Sequence, residues 1–205
     1  MKIGILGGTF NPIHIGHLIL AENAFDFAGL DQVLFIPSGI SYLKDQAEII
    51  SASERIRMVQ LAIEGNDHFA LSTIETDRSG NSYTYETLET LKDAHPMDEL
   101  FFIGGADILM TIHTWKEPER IFQSAILVIA PRDHKERQQL EEQKLFLERK
   151  YDASVKIMDT INLEISSSML RERIKNGFSI RYYVPASVDR YIREKQFYKG
   201  EDHAE

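Results

Sequence analysis

Ile3-Gly4-Ile5-Leu6 runs directly into Gly7-Gly8-Thr9-Phe10-Asn11-Pro12-Ile13-His14-Ile15-Gly16-His17 and then Leu18-Ile19-Leu20-Ala21-Glu22-Asn23-Ala24-Phe25. The first piece is an apolar run of strand length. The last is rich in helix formers and stops at Gly29. The chain therefore opens as strand, glycine turn, two histidines and helix. Paired glycines let backbone N–H groups come close to an anion, and the start of the helix adds a partial positive charge. Histidines three residues apart on a first helical turn can point at one object. Backbone donors and imidazoles, with no obvious nucleophile beside them, predict charge stabilisation at a phosphorus centre. This is the chemistry of a nucleotide site.

Taken singly, the parts are less specific. Gly7-Gly8 fits a ligand-free tight turn equally well. It is not a dinucleotide fingerprint, since G-x-G-x-x-G is absent, and no Gly-Lys-Ser/Thr follows to make a P-loop. His14 and His17 alone could be a surface pair or two zinc ligands. Zinc is disfavoured because no third ligand stands at a useful spacing and the chain has no cysteine.

The surrounding composition narrows the class. With 205 residues the chain fits one domain, read here as residues 1–199 followed by a frayed acidic tail over 200–205. A hydrophobic share of 43% and a charged share of 27% are those of an ordinary globular protein. The absence of cysteine excludes disulfides and fits a reducing compartment. No basic leader precedes the first strand and no apolar run approaches the roughly 20 residues of a membrane span, so the expected location is the cytoplasm, without membrane contact. A formal net charge of −9 disfavours nucleic acid as a partner. It leaves room for a small anionic substrate met by a local cationic cluster.

Further strand-sized apolar runs occur at Gln32–Ile36, Ala70–Ile74, Leu100–Ile103, Ala125–Ala130 and Val155–Met158. Helical patterns lie between them. Ser51 with Glu54 reads as a capping box, followed by Ile56, Val59 and Ile63 at helical spacing. Tyr85, Leu88 and Leu91 mark a second helix ended by His95-Pro96. Glu136–Lys150 reads as an exposed helix anchored by Leu140, Phe146 and Leu147. Such alternation predicts an α/β fold, a Rossmann-like doubly wound parallel sheet with helices on both faces and a small helical C-terminal part. Ligands in such sheets bind beyond the carboxyl ends of the strands, where Gly7–His17 would lie.

A second anion-binding string comes late: Ile165-Ser166-Ser167-Ser168-Met169-Leu170-Arg171. Hydroxyls and free N–H groups at a helix start bind anions, and Arg171 one turn later adds a fork of donors. A serine cap with a surface arginine is the alternative reading of this string alone.

Together the two strings resemble the (T/H)xGH nucleotidyltransferases, a Rossmann-like superfamily. Within it, several further pieces are similar to bacterial nicotinate-nucleotide adenylyltransferases. They are Gly80-Asn81-Ser82-Tyr83-Thr84-Tyr85-Glu86-Thr87-Leu88, then Phe102-Ile103-Gly104-Gly105-Ala106-Asp107 with Trp115 downstream, and Val184-Pro185-Ala186-Ser187-Val188-Asp189-Arg190-Tyr191-Ile192 with Tyr198. The likeness spans about Met1 to Tyr198. One stretch departs from it: where the family has Pro-Pro-His-Lys, this chain has Ile40-Ser41-Tyr42-Leu43-Lys44-Asp45, which keeps only the lysine.

The resemblance implies a reaction and a set of roles. ATP and nicotinate mononucleotide would give nicotinate adenine dinucleotide and pyrophosphate, within NAD biosynthesis. The substrate phosphate would attack the ATP α-phosphorus in line, without a covalent enzyme intermediate. His14, His17 and Arg171 would be the catalytic residues. Gly7, Gly8, Thr9, Phe10, Gly105, Asp107, Ser167 and Ser168 would join them in binding ATP. Asp107 would touch the ribose, with a plain helix cap as the competing role. Lys44, Thr84, Trp115 and Arg132 would hold the mononucleotide, Trp115 by stacking on the pyridine ring, although Trp115 in the core and Arg132 in solvent remain open alternatives. Mg²⁺ would accompany ATP by bridging phosphates, with no dedicated protein ligands. The competing enzyme readings are a nicotinamide, cytidylyl or pantetheine-phosphate transferase, and the competing class is a non-catalytic nucleotide-binding module. A homodimer through Glu136–Lys150 stays open beside the favoured reading of a solvated helix.

Overall fold

The computed structural model describes residues 1–39, 49–131, 137–161 and 164–199. Its six strands are β1 (Lys2–Gly8), β2 (Gln32–Pro37), β3 (Phe69–Leu71), β4 (Glu99–Gly105), β5 (Ile126–Ala130) and β6 (Val155–Ile157). All neighbours are parallel and the order is β3-β2-β1-β4-β5-β6. The chain winds outward from β1 in one direction and then from β4 in the other. The reversal falls between β1 and β4, and a crevice opens at their carboxyl ends.

Helices cover both faces. α1 (Ile15–Ala28), α2 (Ala52–Ile63), α7 (Ser167–Lys175) and α8 (Ala186–Lys195) share a buried core with Leu6, Phe35, Phe101, Ile103 and Val128. On the other face α3 (Thr84–Ala94), α4 (Ala106–Thr111), α5 (Pro118–Ser124) and α6 (Arg137–Tyr151) pack on Ile3, Ile5, Leu100, Phe102, Leu127 and Ile129. Alternate residues of one strand thus feed opposite cores, as the period of two requires. The expected Rossmann-like architecture is borne out, including helices at the C-terminal end. α1 ends where expected: Gly29 takes a left-handed φ of 60° as its cap.

Three details differ from the sequence reading. β3 is Phe69–Leu71 rather than Ala70–Ile74, because pairing with β2 runs out at Phe35↔Leu71 and Thr73 then turns toward Asp77. The fully buried residues of α2 are Arg55, Met58 and Val59; of the expected apolar line, Val59 is in the core, Ile63 packs against it partly buried, and Ile56 is only partly buried. Phe146 is 41% exposed and anchors nothing in the core, while Leu140 and Leu147 do so. The segment 200–205 lies outside the described residues. Among those described, no helix is long and apolar enough to cross a membrane.

Candidate active site

At the crevice beside β1, β4 and β5 lies a cavity of about 650 Å³. Its walls include Gly7 to Asn11, His14, His17, Gly105, Asp107, Ser166 to Ser168 and Arg171. Residues far apart in the chain are bonded to one another here. Ser167 Oγ donates to the Pro12 carbonyl at 2.8 Å, and Arg171 Nη1 donates to the Asn11 carbonyl at 3.0 Å. Tyr198 donates its hydroxyl to Asn11 Oδ1 at 2.7 Å, and Asn11 is only 2% exposed. The head and tail motifs therefore form one wall. Because Ser167 Oγ is committed to Pro12, its side chain ties the site together while Ser168 and the helix start line the cavity.

Two helix N-termini, those of α1 and α7, converge on this space. Ser166 caps α7 by accepting from the Met169 N–H at 3.2 Å. At α1 the Ile15 and His17 N–H groups are already bonded to the Tyr183 and His14 carbonyls, so it is the aligned peptide dipoles that favour an anion at both ends.

The histidines are held in one arrangement. His14 caps α1 in an extended conformation, and its N–H donates to His17 Nδ1 at 3.2 Å. Since that nitrogen accepts, the neutral His17 ring carries its proton on Nε2. The rings stack at 3.6 Å, with 24° between their planes. Phe10, 2% exposed and held at a φ of 49°, sets its ring edge-on against His17 at 5.1 Å. His14 is 5% exposed, and its Nδ1 meets no hydrogen-bond partner among the described residues. Burial lowers its pKa to about 4, so it is neutral near pH 7. Two neutral stacked rings can donate hydrogen bonds to an anion without repelling each other.

A second cavity of about 160 Å³ lies across the same glycine turn. Gly7, Gly8 and Thr9 line both spaces, and a Cβ added at Gly7 would meet nothing within 4 Å. The glycine at that position thus leaves open space rather than relieving a protein contact. The smaller cavity is finished by Ser38, Glu75, Ser82, Thr84 and Trp115. Trp115 is half-buried, with its indole edge-on to Phe102 at 6.3 Å. Thr84 is the first residue of α3. Glu75 accepts from Thr87 Oγ1 at 3.0 Å, and desolvation raises its pKa against the opposing pull of Thr87, the Gly39 N–H and Arg78.

A flat aromatic beside a small cavity, sharing a turn with a larger one walled by two helix N-termini, suits an enzyme that handles nucleotides. Comparison with known proteins agrees. Residues 5–173 match the cytidylyltransferase-like family. A relative from Lachnoclostridium phytofermentans, named "Probable nicotinate-nucleotide adenylyltransferase", is 42% identical over 197 residues, covering 96% of this chain and 98% of its own. One of the same name from Clostridium botulinum is 40% identical over 200 residues, covering 98% and 99%. The chain belongs to the nicotinate-nucleotide adenylyltransferase family. It is accordingly a nucleotidyltransferase. A Plasmodium falciparum nicotinic acid mononucleotide adenylyltransferase complexed with NaAD has the same fold, with a TM-score of 0.80 at 21% identity, covering 96% of this chain and 97% of that one.

The remaining expected residues of this adenylyltransferase fall as follows. Gly105 caps α4, and Asp107, the second helical residue, faces the large cavity, so the competing cap role belongs to Gly105 and not to Asp107. Lys44 and Arg132 lie outside the described residues. Two charged residues at the site were not singled out in the sequence. Arg55 is 3% exposed and reaches the Thr9 carbonyl, and Glu75 sits in the wall of the small cavity. Each stands among other charges, Arg55 beside Glu54 and Arg57 and Glu75 near Asp77 and Arg78, and no spacing distinguishes it from a solvated one.

Proposed function

We propose that this enzyme transfers the adenylyl group of ATP to nicotinate mononucleotide, giving nicotinate adenine dinucleotide and pyrophosphate. The observation that carries the reading is the shared Gly7–Thr9 turn, the common border of a large cavity walled by the two helix starts with His14, His17 and Arg171 and a small one walled by Trp115. A triphosphate in the first and a mononucleotide in the second would bring the acceptor phosphate to the α-phosphorus at that border. The names of the relatives, and the NaAD held by the Plasmodium falciparum enzyme, support the same pair of substrates.

The acceptor phosphate oxygen attacks the α-phosphorus, the bond to the β-phosphate bridging oxygen breaks, and pyrophosphate leaves from the opposite side. No enzyme nucleophile is needed, so the chain contributes positioning and charge stabilisation. His17, with its proton on Nε2, and the neutral His14 donate to phosphate oxygens. The N-termini of α1 and α7, with Ser168 and Arg171, hold the departing pyrophosphate. Thr84 and the start of α3 meet the pyridine carboxylate, and Trp115 offers the ring a flat face. Lys44 and Arg132 are part of the same proposal as basic contacts to the mononucleotide, and Gly105 and Asp107 as contacts to the ATP ribose.

Mg²⁺ belongs to this reading as a companion of ATP. Among the described residues no group of three His, Asp or Glu side chains could hold a metal, and Asp107 is the one carboxylate lining the large cavity. That donor set suits an ion carried mainly by phosphates and waters, which supplies charge neutralisation when bound.

Pyrophosphate release tests the proposal. Purified protein with ATP and Mg²⁺ is given nicotinate mononucleotide or nicotinamide mononucleotide in separate assays. Faster release with the nicotinate form is expected. Equal rates would remove the preference for the acid, reversed rates would move the specificity to the amide, and no release with either would end the reading.

A further inference from the structure

Arg55 is a buried guanidinium without a carboxylate partner among the described residues. All three of its hydrogen bonds go to backbone carbonyls: Nε to Ile50 at 3.2 Å, Nη1 to Thr9 at 2.9 Å and Nη2 to Ser38 at 2.8 Å. Only 3% of the residue is exposed. Burial lowers its pKa, yet an arginine remains charged in a protein. Keeping an unpaired cation out of water is costly, and a neutral side chain would fill the same space more cheaply. What a neutral chain cannot supply is a rigid planar fork with donors in fixed directions.

The three carbonyls are the informative part. Thr9 lies in the wall of both cavities, and Ser38 in that of the smaller one. Ser38 is also bonded to the glycine turn, its N–H donating to the Gly8 carbonyl at 2.8 Å. Ile50 in turn gives its N–H to Asn11 Oδ1 at 3.4 Å, the group that also receives the Tyr198 hydroxyl. A single planar group therefore fixes the edge of the small cavity, the turn between the cavities and the strap bonded to the tail. Arg55 lines neither space itself and is well placed to act through these carbonyls.

We propose that Arg55 is a positioning residue that sets where one substrate lies relative to the other. The inference rests on the two-substrate reading above and deepens it. In-line transfer requires the acceptor oxygen, the phosphorus and the leaving oxygen to be aligned, and a displacement of about 1 Å can lower the rate by about 10²-fold. A loosened clamp leaves each cavity able to bind its own ligand. It spoils only their alignment.

The test compares wild type with Arg55→Lys and Arg55→Met. Thermal unfolding reports folding, calorimetry measures ATP and nicotinate mononucleotide binding one at a time, and pyrophosphate release gives kcat. In Arg55→Met the expected fall in kcat is about 30- to 100-fold, with each separate affinity within about threefold of wild type. Arg55→Lys keeps the charge without the fork and should recover little of the loss. Unchanged kcat in a folded variant overturns the proposal, as does full recovery by lysine or a loss confined to the affinity for one substrate. Failure of both variants to fold would assign Arg55 to the core and also overturn it. A wild-type protein that releases no pyrophosphate, by contrast, defeats the functional reading itself.

Discussion

The two cavities that meet at Gly7–Thr9 are built by different means. The larger one is made from runs of neighbouring residues: a glycine turn, two histidines one helical turn apart, and three serines at the start of α7. The smaller one is collected from separate elements, with Ser38 after β2, Glu75 after β3, Thr84 on α3 and Trp115 before α5. Anion binding by backbone N–H groups requires consecutive residues in one conformation, so it leaves a contiguous trace in the sequence. Recognition of a flat ring requires only that scattered side chains converge after folding.

The difference can be broken experimentally, and the largest effect should come from the phosphate side. His17→Ala removes a donor held in one tautomer by the His14 N–H. Turnover should fall by about 10²–10³-fold, the usual loss for one transition-state donor. Thermal unfolding and the affinity for nicotinate mononucleotide alone should change little. Near-normal turnover in this variant would remove the imidazole from the mechanism.

The second effect is on stability and concerns His14. Its folded pKa of about 4 lies below the ordinary 6.5 because burial penalises the charged ring. Between those values the unfolded chain binds the proton more readily, so wild-type stability is lost as pH falls from 6.5 toward 4. His14→Gln removes this contribution. Unfolding curves at pH 7 and pH 5 should shift in favour of the variant by about 2 kcal/mol on acidification. Parallel pH profiles for the two proteins would contradict the buried neutral ring.

The smallest effect belongs to the ring side. Trp115→Ala should raise KM for the mononucleotide by up to about tenfold, since an aromatic contact contributes about 1 kcal/mol beyond area burial. KM for ATP should stay near wild type. If instead the ATP constant moves, the division of labour between the cavities is wrong.

The same contrast explains what was legible in the sequence. The glycine turn, the capping of α2 by Ser51 and the start of α7 at Ser166 could be read because each is local chemistry between near neighbours. The buried face of α2 was legible only at Val59. Arg55 looks like a solvated charge until three carbonyls, two of them 17 and 46 residues away, surround it. Phe146 was misleading for the opposite reason: an apolar ring that packs edge-on against His113 at the surface and leaves the core to Leu140 and Leu147. Apolar periodicity reports which side of a helix avoids water. It carries no information about which polar groups find partners far along the chain.

The bond from Tyr198 to Asn11 joins residues 187 positions apart. During synthesis the histidines leave the ribosome long before Tyr198, and the wall behind them waits for it. A nascent chain would therefore carry both imidazoles without a finished pocket around them. Proteolytic trimming just before Tyr198 would return the mature protein toward that state while leaving the histidines themselves in place.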